Sequence, residues 1–295
     1  MIKLLFLNFL LGLTLYVSDG LAAGASDSLL VKENEIKGFT NAVSMTIDAK
    51  ENLYVLDADR NEMLKFNTDF ILVKRNGKQG WDKGQFDSPT YIDGSSGLDL
   101  FVSDGKNKRI QRFDLELNYI SSLNTAQEDF PTQFQFNTPF STLVINTNQL
   151  FVVDSDNHRI IAYDGSNLPV QVFGDYKSGK GELRRPVKIL KDDRNFIYVL
   201  DKESSSILAF DNLGNYINQY QIFGLETFTI RDNMLYLYDG SGITVYDLNT
   251  RSIVNKLYLP KSKKKYEFTD IRVLSNERYL LLGKKSLSLW RHKLN

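Results

Sequence analysis

The stretch LFVVDSDNHRIIAYD, residues 150–164, gathers four polar side chains of types that can do chemistry: Asp154, Asn157, His158 and Arg159. A carboxylate, an amide, an imidazole and a guanidinium at such short spacing raise the possibility of a reactive site. An alternating apolar run precedes this group, and a second run follows it and ends on Tyr163. Because alternation of this kind predicts β-strands, the four residues can instead form the turn of a structural repeat.

Five further segments of the chain have the same order of strand, polar turn and strand. Their sequences are LYVLDADRNEMLKFN (53–67), LFVSDGKNKRIQRFD (100–114), IYVLDKESSSILAFD (197–211), LYLYDGSGITVYD (235–247) and YLLLGKKSLSLWR (279–291). The residue that closes the first strand of each copy is called the marker: Asp57, Asp104, Asp154, Asp201, Asp239 and Gly283. Subtraction of these numbers gives periods of 47, 50, 47, 38 and 44 residues. Such periods are typical of propeller blades, which are four-stranded antiparallel sheets.

The second strand of every copy ends on an aromatic residue: Phe66, Phe113, Tyr163, Phe210, Tyr246 and Trp290. Each ring follows its marker by nine residues in the first four copies and by seven in the last two. A fixed register around a variable turn predicts rings that pack between neighbouring sheets. Each ring would bury about 150–250 Å² in such a position.

The polar turn residues are therefore interpreted as mainly structural. The marker aspartate is expected to accept backbone N–H bonds from two residues further on and so to hold the turn. The arginine of the next strand is expected to pair with a neighbouring carboxylate.

The repeat resembles the NHL family of six-bladed propellers, whose pattern is strand, Asp, Asn-x-Arg-Ile, strand and a glycine-rich crossover with a proline. The second and third copies fit it best, with Asn107-x-Arg109-Ile110 and Asn157-x-Arg159-Ile160 after their markers. The crossovers GKQGWDKGQFDSP (77–89) and GDYKSGKGELRRP (174–186) match as well. The first copy has Arg60-Asn61 out of order, the fourth has serines 204–206 there, and the last two copies are degenerate.

The expected fold is an all-β, six-bladed propeller of four-stranded antiparallel blades in a single domain, residues 26–295. The expected blades cover approximately residues 39–76, 87–124, 137–174, 185–222, 225–259 and 266–295. The sixth copy lacks an outer strand, whereas SLLVKEN (28–34) has no blade of its own. The N-terminal strand is therefore expected to close the last blade in a 3+1 arrangement.

The strand topology predicts one functional face. Successive loops of an up-and-down blade alternate between faces, so the turn after the marker and the crossover to the next blade emerge together. The candidate partner-binding residues on this face are Arg60, Trp81, Lys106, Asn107, Lys108, Asn157, His158, Arg159, Tyr176 and Lys202. A basic rim with two aromatic residues can bind an anionic or peptide ligand, although a solvated charged surface has the same composition.

An enzymatic function is the alternative. Some propellers that resemble this one are lactonases or lyases that hold a divalent metal in the central channel, where several innermost strands must supply the ligands. The innermost strands here are SMTID, PTYID, STLVIN, VKILK, TFTIR and TDIRVL, with mainly Ser, Thr and aliphatic residues at interior positions. No catalytic residue, metal or cofactor is therefore predicted, and Asp48 and Asp93 are the first candidates if a metal is bound.

Charge and composition bear on partners and location. The chain has 36 basic and 36 acidic residues, which argues against nucleic acid in spite of the cluster KSKKKY (261–266). Residues 1–25 are interpreted as a signal peptide, with Lys3, the apolar run 4–17 and the small-residue site Ala23-x-Ala25. The chain has no cysteine and no Asn-x-Ser/Thr acceptor, which favours a bacterial periplasm. We expect an exported, non-catalytic binding or scaffold protein whose partner is a protein, a peptide or a cell-envelope component.

Overall fold

The computed structural model describes residues 14–16, 21–127, 130–146, 148–262 and 265–293. Within these ranges the chain forms 25 β-strands and three short 3₁₀ helices, Thr132–Phe134, Ser155–Asn157 and Gly179–Gly181. The first two strands are β1 (Thr14–Tyr16) and β2 (Leu21–Lys37). The predicted signal peptide, residues 1–25, falls for the most part outside the described residues.

Each of the first four repeats folds as four antiparallel strands in sequence order. The first two repeats contain β3 (Ala42–Ile47), β4 (Leu53–Asp57), β5 (Glu62–Phe66), β6 (Leu72–Asn76), β7 (Pro89–Asp93), β8 (Asp99–Asp104), β9 (Arg109–Asp114) and β10 (Tyr119–Asn124). The next two contain β11 (Pro139–Ile145), β12 (Gln149–Asp154), β13 (Arg159–Tyr163), β14 (Pro169–Phe173), β15 (Pro186–Lys191), β16 (Ile197–Asp201), β17 (Ser206–Phe210) and β18 (Tyr216–Gln221). β1 lies parallel to β18 and adds a fifth strand to that sheet.

The last two repeats share one sheet of eight strands with β2. Its strands along the chain are β19 (Thr227–Arg231), β20 (Met234–Tyr238), β21 (Gly242–Asp247), β22 (Ser252–Tyr258), β23 (Asp270–Val273), β24 (Tyr279–Leu282) and β25 (Ser286–His292). Their order in space is β19-β20-β21-β22-β2-β25-β24-β23. β2 therefore lies between the outer strands of both repeats.

The prediction of six four-stranded blades is wrong, although the N-terminal strand does pair with the last repeat as predicted. β2 is 17 residues long, so one part of it runs parallel to β22 and a later part, residues 30–37, runs antiparallel to β25. An unpaired strand edge is costly, and a strand of this length gives both β22 and β25 a partner. The result is four single-repeat sheets and one continuous eight-stranded sheet, in an all-β propeller fold.

The core lies between successive sheets, as the aromatic pattern predicts. The sequence copies begin at the second strand of each repeat, so the six predicted rings lie near the ends of the third strands. All six are buried: Phe66, Phe113, Tyr163, Phe210, Tyr246 and Trp290. Phe210 of the fourth repeat, for example, packs on Phe173 of the third with ring centroids 5.0 Å apart. Apolar burial between sheets is thus what holds the repeats in order around the centre.

The first strand of every repeat lines a central channel, and polar side chains join these strands laterally. Ser44 of β3 accepts a hydrogen bond from Ile92 N at 3.4 Å, and Thr90 of β7 donates to Phe140 O at 2.9 Å. Ser141 of β11 accepts from Ile189 N at 3.3 Å. Corresponding bonds from the later strands, described below, involve charged groups.

Candidate functional site

The marker aspartates fix the beginning of their own repeat. Asp57 accepts backbone bonds from Thr40 N at 2.7 Å and Asn41 N at 2.9 Å. Asp201 likewise accepts from Arg185 N at 2.9 Å, so these bonds run 16 or 17 residues back along the chain. The predicted bond from two residues further on is therefore wrong for these markers. It does occur in the fifth repeat, where Ser241 N donates to Asp239 at 2.8 Å.

The arginine and asparagine of the repeat pattern join the marker to the crossover loop. Arg159 Nε lies 2.9 Å from Asp154 Oδ2, which confirms the predicted pairing with a carboxylate. Its two other nitrogens donate to Gln133 O at 2.9 Å and Gln135 O at 2.8 Å. Asn157 donates to the same carboxylate at 2.8 Å. Arg159 and Asn157 therefore use their hydrogen-bonding groups within the fold.

The second repeat has the same arrangement. Arg109 lies 2.9 Å from Asp104 and donates to Trp81 O at 2.6 Å, and Asn107 donates both to Asp104 and to Gly80 O at 2.9 Å. These bonds place the turn after the marker and the preceding crossover on one face, here called the marker face. Asn107 is buried in this network and does not belong to an open rim.

The remaining predicted rim residues are spread over the marker face. Lys106, Lys108 and His158 are exposed, whereas Arg60 donates to Thr40 Oγ1 at 2.9 Å. The crossover residues Trp81 and Tyr176 are 71% and 76% exposed, and Phe223, which the sequence analysis missed, is 75% exposed. Large exposed rings on one face are typical of protein-interaction surfaces.

The central channel opens on the marker face into a cavity of about 670 Å³, here called the channel-mouth cavity. Of the ten predicted site residues, Lys202 lines it. Two register positions of the repeat contribute to its wall. One directly follows the marker (Ala58, Ser155, Lys202 and Lys284), and the other lies 16 residues before it (Asn41, Ser88 and Arg185). The marker position could therefore have led from the sequence to this cavity.

The charged groups of the cavity wall are four cations, Arg185, Lys188, Lys202 and Lys284, and two carboxylates, Glu226 and Asp270. Lys202 Nζ donates to the carbonyl oxygens of Leu225, at 3.0 Å, and Glu226. Burial lowers the pKa of Lys202, although the nearby Glu226 carboxylate opposes this effect. Within the described ranges, the side chains of Arg185 and Lys284 form no hydrogen bond or ion pair.

A buried ion cluster lies at the inner end of the cavity. Asp270 Oδ1 lies 2.6 Å from Lys188 Nζ and 2.7 Å from Arg272 Nη1, and its other oxygen accepts from Met45 N at 3.0 Å. Lys188 also donates to Phe228 O at 2.6 Å. Burial lowers the pKa of Lys188 to about 8, against the opposing effect of Asp270. Burial raises the pKa of Asp270, but Arg272 and Lys188 outweigh it and leave that pKa below its usual value.

The expectation of mainly neutral side chains on the innermost strands is therefore wrong for two strands. Lys188 in VKILK and both charged residues of TDIRVL, Asp270 and Arg272, are buried in the channel. Charged residues inside an otherwise apolar innermost strand were the sequence signal that could have revealed this cluster. They remain buried because the two cations share one carboxylate, and their other bonds reach the carbonyls of Phe228 and Ile271 and the hydroxyls of Thr227 and Tyr91.

The far end of the channel holds a second cavity of about 260 Å³, lined by Asp93 and Arg272 among other residues. Asp93 accepts bonds from Ser95 N at 3.0 Å and Ser95 Oγ at 2.7 Å. Burial raises its pKa to about 6, and the bonds from Ser95 and the charge of Arg272 limit the increase.

The described residues of the channel do not form a group of ligands suited to a divalent metal. Asp48 accepts bonds from Lys50 N and Asn52 N, each at 2.9 Å, and so holds the turn between β3 and β4. Two cations contact Asp270 in the channel. Across the described part of the chain, no group of three or more His, Cys, Asp or Glu side chains could hold a metal ion.

No protein-family model matches the sequence. The chain is 26% identical over 123 residues to NHL repeat-containing protein 3 of Homo sapiens, a match that covers 39% of this chain and 35% of that protein. It is 24% identical over 151 residues to Protein brain tumor of Drosophila melanogaster, covering 49% and 13%. The matches thus span about a third or less of the length of these relatives.

Similar solved structures include three enzymes. A streptogramin B lyase gives a TM-score of 0.65 at 12% identity, covering 90% of this chain and 98% of that chain. Virginiamycin B lyase from Staphylococcus aureus with quinupristin gives 0.60 at 13% identity, covering 86% and 81%. A gluconolactonase from Xanthomonas campestris gives 0.61 at 14% identity, covering 88% and 89%. At these identities the likeness shows the β-propeller fold.

The described residues contain no helix with the length and apolar character needed to cross a membrane.

Proposed function

We propose that this protein is an exported, non-catalytic binding protein that holds part of its partner in the channel-mouth cavity. The observation that carries the proposal is a cavity of about 670 Å³ on the same face as three exposed aromatic side chains, Trp81, Tyr176 and Phe223. Binding pockets usually have volumes of about 300–1,000 Å³, and exposed rings supply contact area at low entropic cost. The partner is a protein, a peptide or a cell-envelope component, and export rests on the signal peptide pattern in residues 1–25.

The test is affinity capture of the tagged protein after gentle crosslinking in the native cells, compared with an Ala58→Trp variant. Ala58 lines the cavity, so an indole at this position fills the mouth without removing a polar side chain. Lys78→Ala is the matched control, because Lys78 is exposed in the crossover 77–89 on the same face but does not line the cavity. We expect a stoichiometric partner with the unchanged protein and the control, and its loss with Ala58→Trp. Equal capture by all three forms would contradict the proposal.

An enzymatic function is the second candidate, favoured by Asp93. A carboxyl group with a pKa of about 6 beside a cavity suits general acid–base catalysis near neutral pH. The similar solved structures include a gluconolactonase, so a panel of lactones is the first set of substrates to assay. Turnover that disappears in Asp93→Asn but persists in Ala58→Trp would support catalysis at the far end of the channel.

A further inference from the structure

The charge of the channel-mouth cavity wall differs from repeat to repeat. In the first three repeats its register positions hold small or neutral residues: Asn41, Ala58, Ser88 and Ser155. In the fourth repeat both positions are cationic, and the residues are adjacent because Lys202 N donates to Arg185 O at 3.0 Å. Three of the four cavity cations, Arg185, Lys188 and Lys202, therefore belong to the fourth repeat, and the fourth, Lys284, belongs to the sixth.

Arg185 and Lys202 retain hydrogen-bonding capacity. Lys202 has three N–H donors, of which two reach the carbonyl oxygens of Leu225 and Glu226. Arg185 is exposed, and its guanidinium has no partner among the described residues. The Glu226 carboxylate, which could neutralise Lys202, lies 2.7 Å from Lys265 Nζ. The pair Arg185 and Lys202 can therefore accept an anionic group from outside the chain.

The rest of the cavity favours an apolar ligand body with a single charge. Val43, Phe140 and Val187 contribute to a wall that is largely apolar. A doubly charged phosphate loses more hydration on entering such a site than a carboxylate does. A guanidinium also matches the two oxygens of a carboxylate through parallel N–H bonds.

We propose that the channel-mouth cavity binds a monocarboxylate with an apolar body, with Arg185 and Lys202 as the carboxylate-binding residues. This inference rests on the proposed binding function and specifies its ligand. Such a carboxylate can belong to a small molecule or to the C-terminus of a peptide.

The test is calorimetric titration with two sets of probes. One contains aliphatic and aromatic monocarboxylates of increasing length, each paired with its primary amide. The other contains short peptides with apolar C-terminal residues, each as the free acid and as the C-terminal amide. We expect acids to bind more tightly than their amides in at least one set. Arg185→Gln should weaken binding of the acid about tenfold, equivalent to about 1.4 kcal/mol, and leave the amide unchanged.

The variants separate a failure of this inference from a failure of the binding function. Arg185→Gln removes no side-chain bond to any residue that the structure describes. Lys202→Met tests the second cation, and Lys78→Gln, in the exposed crossover outside the cavity, is the control. The carboxylate assignment is overturned if no acid binds, or if acid and amide bind equally and Arg185→Gln has no effect, even when Ala58→Trp still abolishes partner capture. Partner capture that survives Ala58→Trp would instead overturn the binding function itself.

Discussion

The second and third repeats differ from the fourth in how they use their cations. In the former, Arg109 and Arg159 bind a marker aspartate and crossover carbonyls. The fourth repeat has no arginine at that position, and its Lys202 reaches the carbonyls of the crossover from the cavity wall. Where the repeat pattern is intact, its polar residues are therefore architectural. The candidate ligand-binding charges occur where the pattern has changed.

The channel shows the same contrast. β3, β7 and β11 are joined by the hydroxyl groups of Ser44, Thr90 and Ser141. β15 and β23 instead supply Lys188, Asp270 and Arg272. A hydrogen bond from a neutral hydroxyl contributes little net stability. Removing one member of a buried ion cluster is costly, because it leaves the remaining charges buried without a partner. The two sides of the channel should therefore respond differently to substitution.

The largest expected effect is that of Asp270→Ala, which leaves Lys188 and Arg272 buried without their shared carboxylate. It should lower the free energy of unfolding by about 3–5 kcal/mol, against about 1 kcal/mol for Ser44→Ala on the neutral side. Urea unfolding of both variants measures the difference. The triple variant Lys188→Met, Asp270→Leu, Arg272→Met should recover most of the loss. Equal costs for Asp270→Ala and Ser44→Ala would remove the proposed contrast.

The aromatic core, unlike the polar residues, should be equivalent in both regions. Phe113 of the second repeat and Trp290 of the sixth are both fully or nearly fully buried. Each substitution by alanine should therefore cost about 3–5 kcal/mol in urea unfolding. Trp81→Ala, on the exposed crossover, is the control and should change stability by less than about 0.5 kcal/mol. Trp290→Ala alone could instead cost less than about 1 kcal/mol, as expected for a surface residue. That result would show that the sixth repeat packs differently.

A smaller effect distinguishes the intact third repeat from the first, in which the pattern is out of order. Arg159→Ala leaves buried Asp154 without its ion pair and should cost about 2–3 kcal/mol. The Arg60 side chain is 43% exposed and its Nε lies 3.9 Å from Asp57, so Arg60→Ala should cost less than about 1 kcal/mol. Chemical unfolding of the two variants under the same conditions makes the comparison. A cost for Arg60→Ala as large as that of Arg159→Ala would mean that residue order in the turn is unimportant.

Periodicity predicted what is local to each repeat. The strands, the marker, the buried aromatic and the Arg159–Asp154 pair follow from spacing, because each depends on residues close together in the chain or on regular packing. The course of β2 could not be predicted in this way, since the apolar pattern of residues 28–34 gives its propensity but not its two partners. β22 and β25 lie more than 200 residues away, and their free edges exist only after folding.

The candidate site was less predictable for a related reason. Exposure and residue type selected Trp81 and Tyr176 correctly as surface residues, but they also selected Asn107 and Arg159, which the fold itself uses. Arg185 was missed because its role depends on a backbone bond to Lys202 N across 17 residues. Such positions become visible only when the repeats are superposed and the residues next to each marker are compared.

Asp93 is the exception on the neutral side of the channel, and the size of its predicted effect depends on pH. Burial raises its pKa from 3.8 to about 6 in the folded protein. The folded state therefore binds one more proton than the unfolded state between these values, and stability should fall as pH rises through this window. The cost at pH 7 is at most about 3 kcal/mol, at about 1.4 kcal/mol per pKa unit.

Asp93→Asn removes this titration. The variant should therefore be more stable, relative to the unchanged protein, at pH 7 than at pH 4. Urea unfolding at a series of pH values measures the difference, and ¹³C NMR of the labelled carboxyl group gives the pKa directly. Ser95→Ala should move the window to higher pH, because the hydroxyl that donates at 2.7 Å stabilises the charged carboxylate. A stability difference that does not vary with pH would mean that water or Arg272 fully compensates the buried charge, and that both sides of the channel tolerate ionised groups equally.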